Sequence, residues 1–137
     1  MALTPQIALI ILLSMMFCNI ISNFYVQGSL AQIKQKAWWK DICFVESKFR
    51  YDYKVALIIQ SFLWCFFIHI PLILHIRYCG WTYNEKLFLV VYVVNWIIHT
   101  IIDDFKSNRH KLNLIISQTL YLMQVVITWI LYFWEIG

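Results

Sequence analysis

The sequence predicts an all-α integral membrane protein, a four-transmembrane-helix bundle with an amphipathic interfacial helix between helices 1 and 2. Three observations lead there. Of the 137 residues 62% are hydrophobic and only 13% charged, roughly half the charge of a soluble domain. Four apolar stretches approach the ~20 residues with which a helix crosses a bilayer. None of them carries a β signal, and lipid admits only helices or closed barrels.

The elements follow in order within one expected domain, 1–137, with spans at about 7–25, 55–76, 87–102 and 114–134. Thr4-Pro5 opens the first, with proline near the first turn, where its missing N–H costs nothing. This span lacks a basic leader and a small-residue cleavage motif, so it is expected to be retained. The second runs from Val55 to Ile76, is interrupted by Pro71 and closes near Cys79-Gly80. The third, rich in Val and Ile, ends at Asp103-Asp104, and the fourth ends near Trp134.

Between the first two spans, Trp38, Ile42, Val45 and Phe49 are spaced i, i+4, i+7 and i+11, with Lys36, Lys40 and Arg50 elsewhere around the wheel. That is the pattern of a helix lying in the headgroup layer. Trp38, Trp39, Ile42 and Phe49 are its expected anchors. Tyr51, Tyr53, Trp81, Tyr83 and Trp134 fall at span ends, as aromatic belts do.

The net charge of +4 is concentrated in loops, so it orients the chain and predicts no nucleic-acid partner. Lys34, Lys36, Lys40, Lys48, Arg50 and Lys54 occupy the first connection, and Lys106, Arg109 and Lys111 the third. The second holds only Arg77 and Lys86. Basic loops stay cytoplasmic, which predicts N-out/C-out topology in the inner (cytoplasmic) membrane of a cell. Gly28, Gly80 and Gly137 are too scattered for a glycine-rich phosphate loop. Cys18, Cys43, Cys65 and Cys79 show no CxxC spacing, and Cys18 and Cys65 read as small hydrophobes.

Every span owns a polar edge. Asn19, Asn23 and Gln27 recur at i, i+4 and i+8 on helix 1. Asn95, His99 and Asp103 repeat that spacing on helix 3, with Lys106 following. Helix 2 offers Gln60, Ser61 and His69, and helix 4 offers Ser117, Gln118, Tyr121, Gln124 and Thr128. Polar groups are costly in hydrocarbon unless paired, so these edges are expected to meet inside the bundle as interhelical glue. The helix 3 edge is expected to pair directly with that of helix 1. His99 and Asp103 could in addition hold a divalent metal, although two ligands are fewer than such a site requires.

The motif "NIISNFYVQ" in helix 1 and "HTIIDDFK" in helix 3 resemble the small bacterial and phage membrane proteins catalogued as domain of unknown function 3307. That family carries His-x-x-x-Asp-Phe-x-x-Gln on helix 1 and a histidine on helix 2. It continues with His-x-x-x-Asp-x-x-Lys on helix 3 and Asp-Gln-x-x-His on helix 4. The resemblance places the first motif on Asn19, Asn23, Phe24 and Gln27. The helix 2 histidine falls on Gln60, or less well on His69. The third motif stands intact as His99, Asp103 and Lys106, and the last falls on Ser117, Gln118 and Tyr121. Imidazoles and carboxylates have largely become amides and hydroxyls, which ligate metal weakly. The resemblance thus implies a neutralised site kept for packing.

The expected function is a non-catalytic polytopic membrane protein, a subunit of a larger membrane assembly. Its partners would be the lipid bilayer and either further copies of the chain or another membrane protein, and no cofactor is expected. Two alternatives stand beside it: a membrane-embedded metal-dependent hydrolase-like protein with a remnant site at His99 and Asp103, and an oligomeric channel or pore-forming effector. No catalytic residue is assigned.

Overall fold

The computed structural model describes residues 4–26, 28, 30–42, 51–80 and 83–134, with the side chains of residues 41 and 42 left aside. Helix α1, Pro5–Ile21, starts at Thr4, whose hydroxyl accepts from the Ile7 amide at 3.3 Å and so occupies one of the first-turn donors. It continues as a π-helical segment, Ser22–Val26. Two short helices follow, α2 (Leu30–Ile33) and α3 (Lys36–Ile42). The remaining long helices are α4 (Asp52–Cys79), α5 (Glu85–Ser107) and α6 (Leu114–Trp134).

Four helices are long and apolar enough to cross a membrane, Pro5–Val26, Asp52–Cys79, Glu85–Ser107 and Leu114–Trp134, with mean hydropathies of 2.2, 2.1, 1.6 and 1.8. Three of them outrun the apolar stretches in sequence. At ~1.5 Å per residue the 28 residues of α4 reach about 42 Å, past a hydrocarbon core of ~30 Å. Their ends therefore stand in the headgroup region of any bilayer they cross. Pro71, expected to interrupt α4, lies inside a continuous helix, as prolines in membrane helices do when neighbours supply the lost pairing. What closes α4 is Gly80 at φ 63°, a left-handed cap that a side chain resists. Asn84 caps α5 by accepting from the amides of Lys86 and Leu87, and Asn113 does the same for α6 at Ile116.

The four long helices form an up-down-up-down ring. α1 packs on α4 and α6, and α5 packs on the same two, so α1 and α5 stand across the bundle from each other. Trp129 near the end of α6 donates to the Ala8 carbonyl near the start of α1 at 2.8 Å, which fixes their antiparallel sense. Met15, Trp64, Cys65, Ile68, Leu72 and Val125 fill the core. Outward faces carry large apolar residues such as Ile10, Phe17, Leu89 and Ile115, with Phe17 62% exposed. Polar side chains meanwhile fill the centre. That distribution inverts a water-soluble protein and suits helices whose solvent is lipid.

The expected interfacial helix over Trp38 to Phe49 lies largely outside the described residues. The first connection holds two short helices broken at Lys34–Gln35, and Val45, Phe49 and the side chain of Ile42 lie outside the described residues. Trp38 and Trp39 are half-buried and meet edge to face at 5.0 Å. Trp39 also donates to the Ile33 carbonyl at 2.6 Å, tying α3 back onto α2.

Candidate functional site: a layered polar interior

The polar residues of α1, α4, α5 and α6 stack in layers along the bundle axis. The layer nearest the basic connections centres on Asp103, fully buried on α5. Lys34 reaches it from the first connection, Nζ to Oδ2 at 3.0 Å, with only 4% of the lysine side chain exposed. The Tyr121 hydroxyl of α6 donates to the other carboxylate oxygen. Lys106 is half-buried, its ammonium 5.9 Å from the centre of the Tyr121 ring. Two backbone ties hold the lysine's loop in place. The Lys36 amide donates to Asn108 Oδ1 at 2.8 Å, and Asn108 Nδ2 donates to the Lys34 carbonyl at 3.3 Å.

One turn further in, the His99 ring stacks on the Trp64 indole at 3.9 Å and 12°, with the Tyr121 ring tilted against it at 4.4 Å. His99 Nε2 stands 3.9 Å from Asp103 Oδ2, beyond hydrogen-bonding reach. Gln124 adjoins the imidazole. The Trp64 indole N–H donates to Asn19 Oδ1 at 2.8 Å, and the same oxygen accepts from Asn23 Nδ2 at 2.9 Å. Asn19 Oδ1 thus accepts from two donors, the Trp64 indole of α4 and the Asn23 amide one turn on. His99 and Asp103 do face the interior, and among the described residues no hydrogen bond joins them directly to Asn19 on helix 1. Because α1 and α5 are diagonal in the ring, Trp64 of α4 stands between them.

The next layer joins α5 to α6. Asn95 Nδ2 donates to Thr128 Oγ1 at 2.6 Å, Thr128 donates to the Gln124 carbonyl, and Gln124 Nε2 approaches the Asn95 carbonyl at 3.2 Å. An apolar groove of about 280 Å³ between these helices, walled by Leu87, Val94, Ile98, Ile127 and Leu131, has Asn95, Gln124 and Thr128 at its floor. His69 sits higher, its Nδ1 against the Cys65 carbonyl at 2.7 Å and its ring among Phe88, Tyr92 and Tyr132.

The other residues singled out in sequence fall into place unevenly. Gln60 and Ser61 are buried on α4. The serine bonds the carbonyl one turn back, and both amide atoms of Gln60 lack a partner among the described residues. Ser117 is buried and bonds within α6, while Gln118 beside it is only half-buried. Gln27 lies outside the described residues. Two members of the site carry no signal of their own in the sequence: Lys34 stands among the orienting loop charges, and Trp64 within the apolar run of α4.

The ammonium of Lys34 lies on the Asp103 oxygen nearer His99, while both ring nitrogens of His99 lack a hydrogen-bond partner among the described residues. Among the described residues no three His, Cys, Asp or Glu side chains converge. No protein family, curated protein or solved structure matches the chain.

Proposed function

We propose that the chain is a non-catalytic polytopic membrane protein, a subunit of a larger membrane assembly, whose layered polar interior holds four helices in a single arrangement. The observation that carries this reading is the pairing of Asp103. Both of its oxygens are engaged, one by an ammonium and one by a phenol, which favours a structural ion pair over a metal ligand or a general base. The hydrolase-like alternative requires that pair to open. The pore alternative needs polar edges turned toward a symmetry axis, whereas Asn19, Asn95, Asp103, Tyr121 and Thr128 are buried and bonded within one chain. Lys34 supplies from within the chain the positive charge that the buried Asp103 calls for.

The topology we assign is N-out/C-out in the cytoplasmic membrane. Its support is that Lys34, Lys36, Lys40, Lys106, Arg109 and Lys111 gather at one end of the bundle while Arg77 and Lys86 mark the other. The half-buried Trp38 and Trp39 beside those lysines make this end the expected partner surface.

Two measurements test the reading. The unfolding midpoint of the purified protein in detergent should not move with added zinc, manganese or magnesium. A saturable rise in midpoint with one of these ions overturns the non-catalytic reading in favour of the metal alternative. Particles extracted directly from membranes into polymer-bounded discs should exceed the mass of one 16.5 kDa chain by at least one further subunit. A uniform single-chain particle overturns the assembly half.

A further inference from the structure

We infer that the notch between α3 and the α5–α6 connection binds a phosphodiester anion, the headgroup of an anionic phospholipid. The notch is a cavity of about 150 Å³ lined by Lys36, Ala37, Lys40, Ser107, Asn108 and His110. That is roughly the liquid volume of five waters, the scale of one phosphate group. Its donors come from three directions. Lys36 and Lys40 stand at i and i+4 on α3, so both ammonium groups serve one face. Ser107 contributes a hydroxyl from the last turn of α5. His110 contributes an imidazole, which offers an N–H in either protonation state.

The walls are fixed before any ligand arrives. Asn108 accepts from the Lys36 amide at 2.8 Å and donates to Asp104 at 2.9 Å and to the Lys34 carbonyl at 3.3 Å, clamping the start of α3 to the end of α5. His110 adopts φ 51°, and that left-handed turn brings its residue to the notch.

The charge balance is one-sided. Asp104 is already covered by Arg109 at 3.1 Å and by Asn108. No ion pair to Lys36 or Lys40 occurs among the described residues. Basic pockets at the cytoplasmic ends of membrane helices recognise anionic headgroups. A lipid is favoured over a free phosphate ion because the notch lies beside Trp38 and Trp39, residue types that sit at headgroup depth. This inference rests on reading that end of the bundle as lying in a headgroup layer.

The test uses the full chain in lipid discs and native mass spectrometry of the released protein. With mixed phosphatidylglycerol and phosphatidylcholine, the wild type should retain one phosphatidylglycerol in preference to phosphatidylcholine. Lys36→Gln with Lys40→Gln should lower that retention by about tenfold or more, each lysine near a membrane surface counting for about 1 kcal/mol. Lys36→Arg with Lys40→Arg should restore it, which separates charge from any loss of fold. Retention unchanged by the Gln pair, or equal retention of both lipids, overturns the proposal. A tenth-molar excess of inorganic phosphate should not displace the lipid, and displacement would reassign the notch to a free anion. A membrane-impermeant maleimide on Lys40→Cys, in a background without the native cysteines, reports the topology separately. Labelling in intact cells overturns N-out/C-out while leaving the lipid result standing.

Discussion

Lys34 and Asp103 offer the sharpest perturbation of this interior. Their atoms stand 3.0 Å apart with 4% and 1% of the two side chains exposed. At an effective dielectric constant of ~20 that separation corresponds to about 5–6 kcal/mol of attraction, set against the cost of removing both charges from water. Replacing Lys34 with Met keeps the length of the side chain and strands the carboxylate with Tyr121 alone. Breaking a buried pair this way costs about 3–5 kcal/mol. Replacing both, Lys34→Met with Asp103→Leu, removes the stranded charge along with its partner and should recover most of that loss. Reversible unfolding in mixed detergent micelles, read as a double-mutant cycle, gives the coupling energy directly. The expected coupling is at least about 2 kcal/mol. A Lys34→Met protein within about 0.5 kcal/mol of wild type, or a double variant showing the plain sum of two large losses, would refute the clamp.

Trp64→Phe keeps a ring on His99 but deletes the donor to Asn19, and should cost about 1 kcal/mol in the same unfolding assay. A neutral result would mean that the indole N–H bond carries nothing. Asn19→Leu with Asn23→Leu should destabilise by about 1–3 kcal/mol, because Trp64 then loses its acceptor in a dry interior. Stabilisation by the same pair of leucines would show that these carboxamides turn to lipid. Gly80→Ala forces a side chain into φ 63°, where the added carbon meets no atom within 4 Å. Its expected cost of about 1 kcal/mol is purely conformational, and a loss several times larger would point to a clash instead.

Much of this fold was legible from hydropathy. The helices outrun the apolar stretches only by polar turns such as Asp52–Lys54 and Asp103–Ser107, which belong to the same helices but not to the same solvent. The polar edges were legible too, since Asn19, Asn95, His99, Asp103, Tyr121, Gln124 and Thr128 all point inward. Which edge meets which was not legible from spacing alone. Matching periods on helices 1 and 3 suggested direct pairing, yet α4 packs between α1 and α5 on one side and α6 on the other, which leaves those two diagonal. The gap is filled by Trp64, an apolar-looking residue whose single N–H gives it a polar role. Lys34 escaped for a different reason. Counting basic residues in a loop treats them alike, and nothing in the loop itself distinguishes the one lysine that turns inward. Its partner gave the signal, since a carboxylate one turn inside a helix end needs a cation from somewhere.

The clamp between Lys34 and Asp103 also sets an order of events during synthesis. The two residues are separated by 69 positions, so the lysine leaves the ribosome two full helices ahead of its partner. Until the third helix is inserted, Lys34 has no interior carboxylate to meet and stays with the water and headgroups at the membrane surface. The turn that carries it therefore closes late, after α5 has arrived, and Tyr121 joins later still with α6. Insertion of single helices and their locking together are separate stages for this chain. The ion pair is the latch thrown between them, so a nascent chain halted after the second helix would have its spans placed but its first connection still undocked.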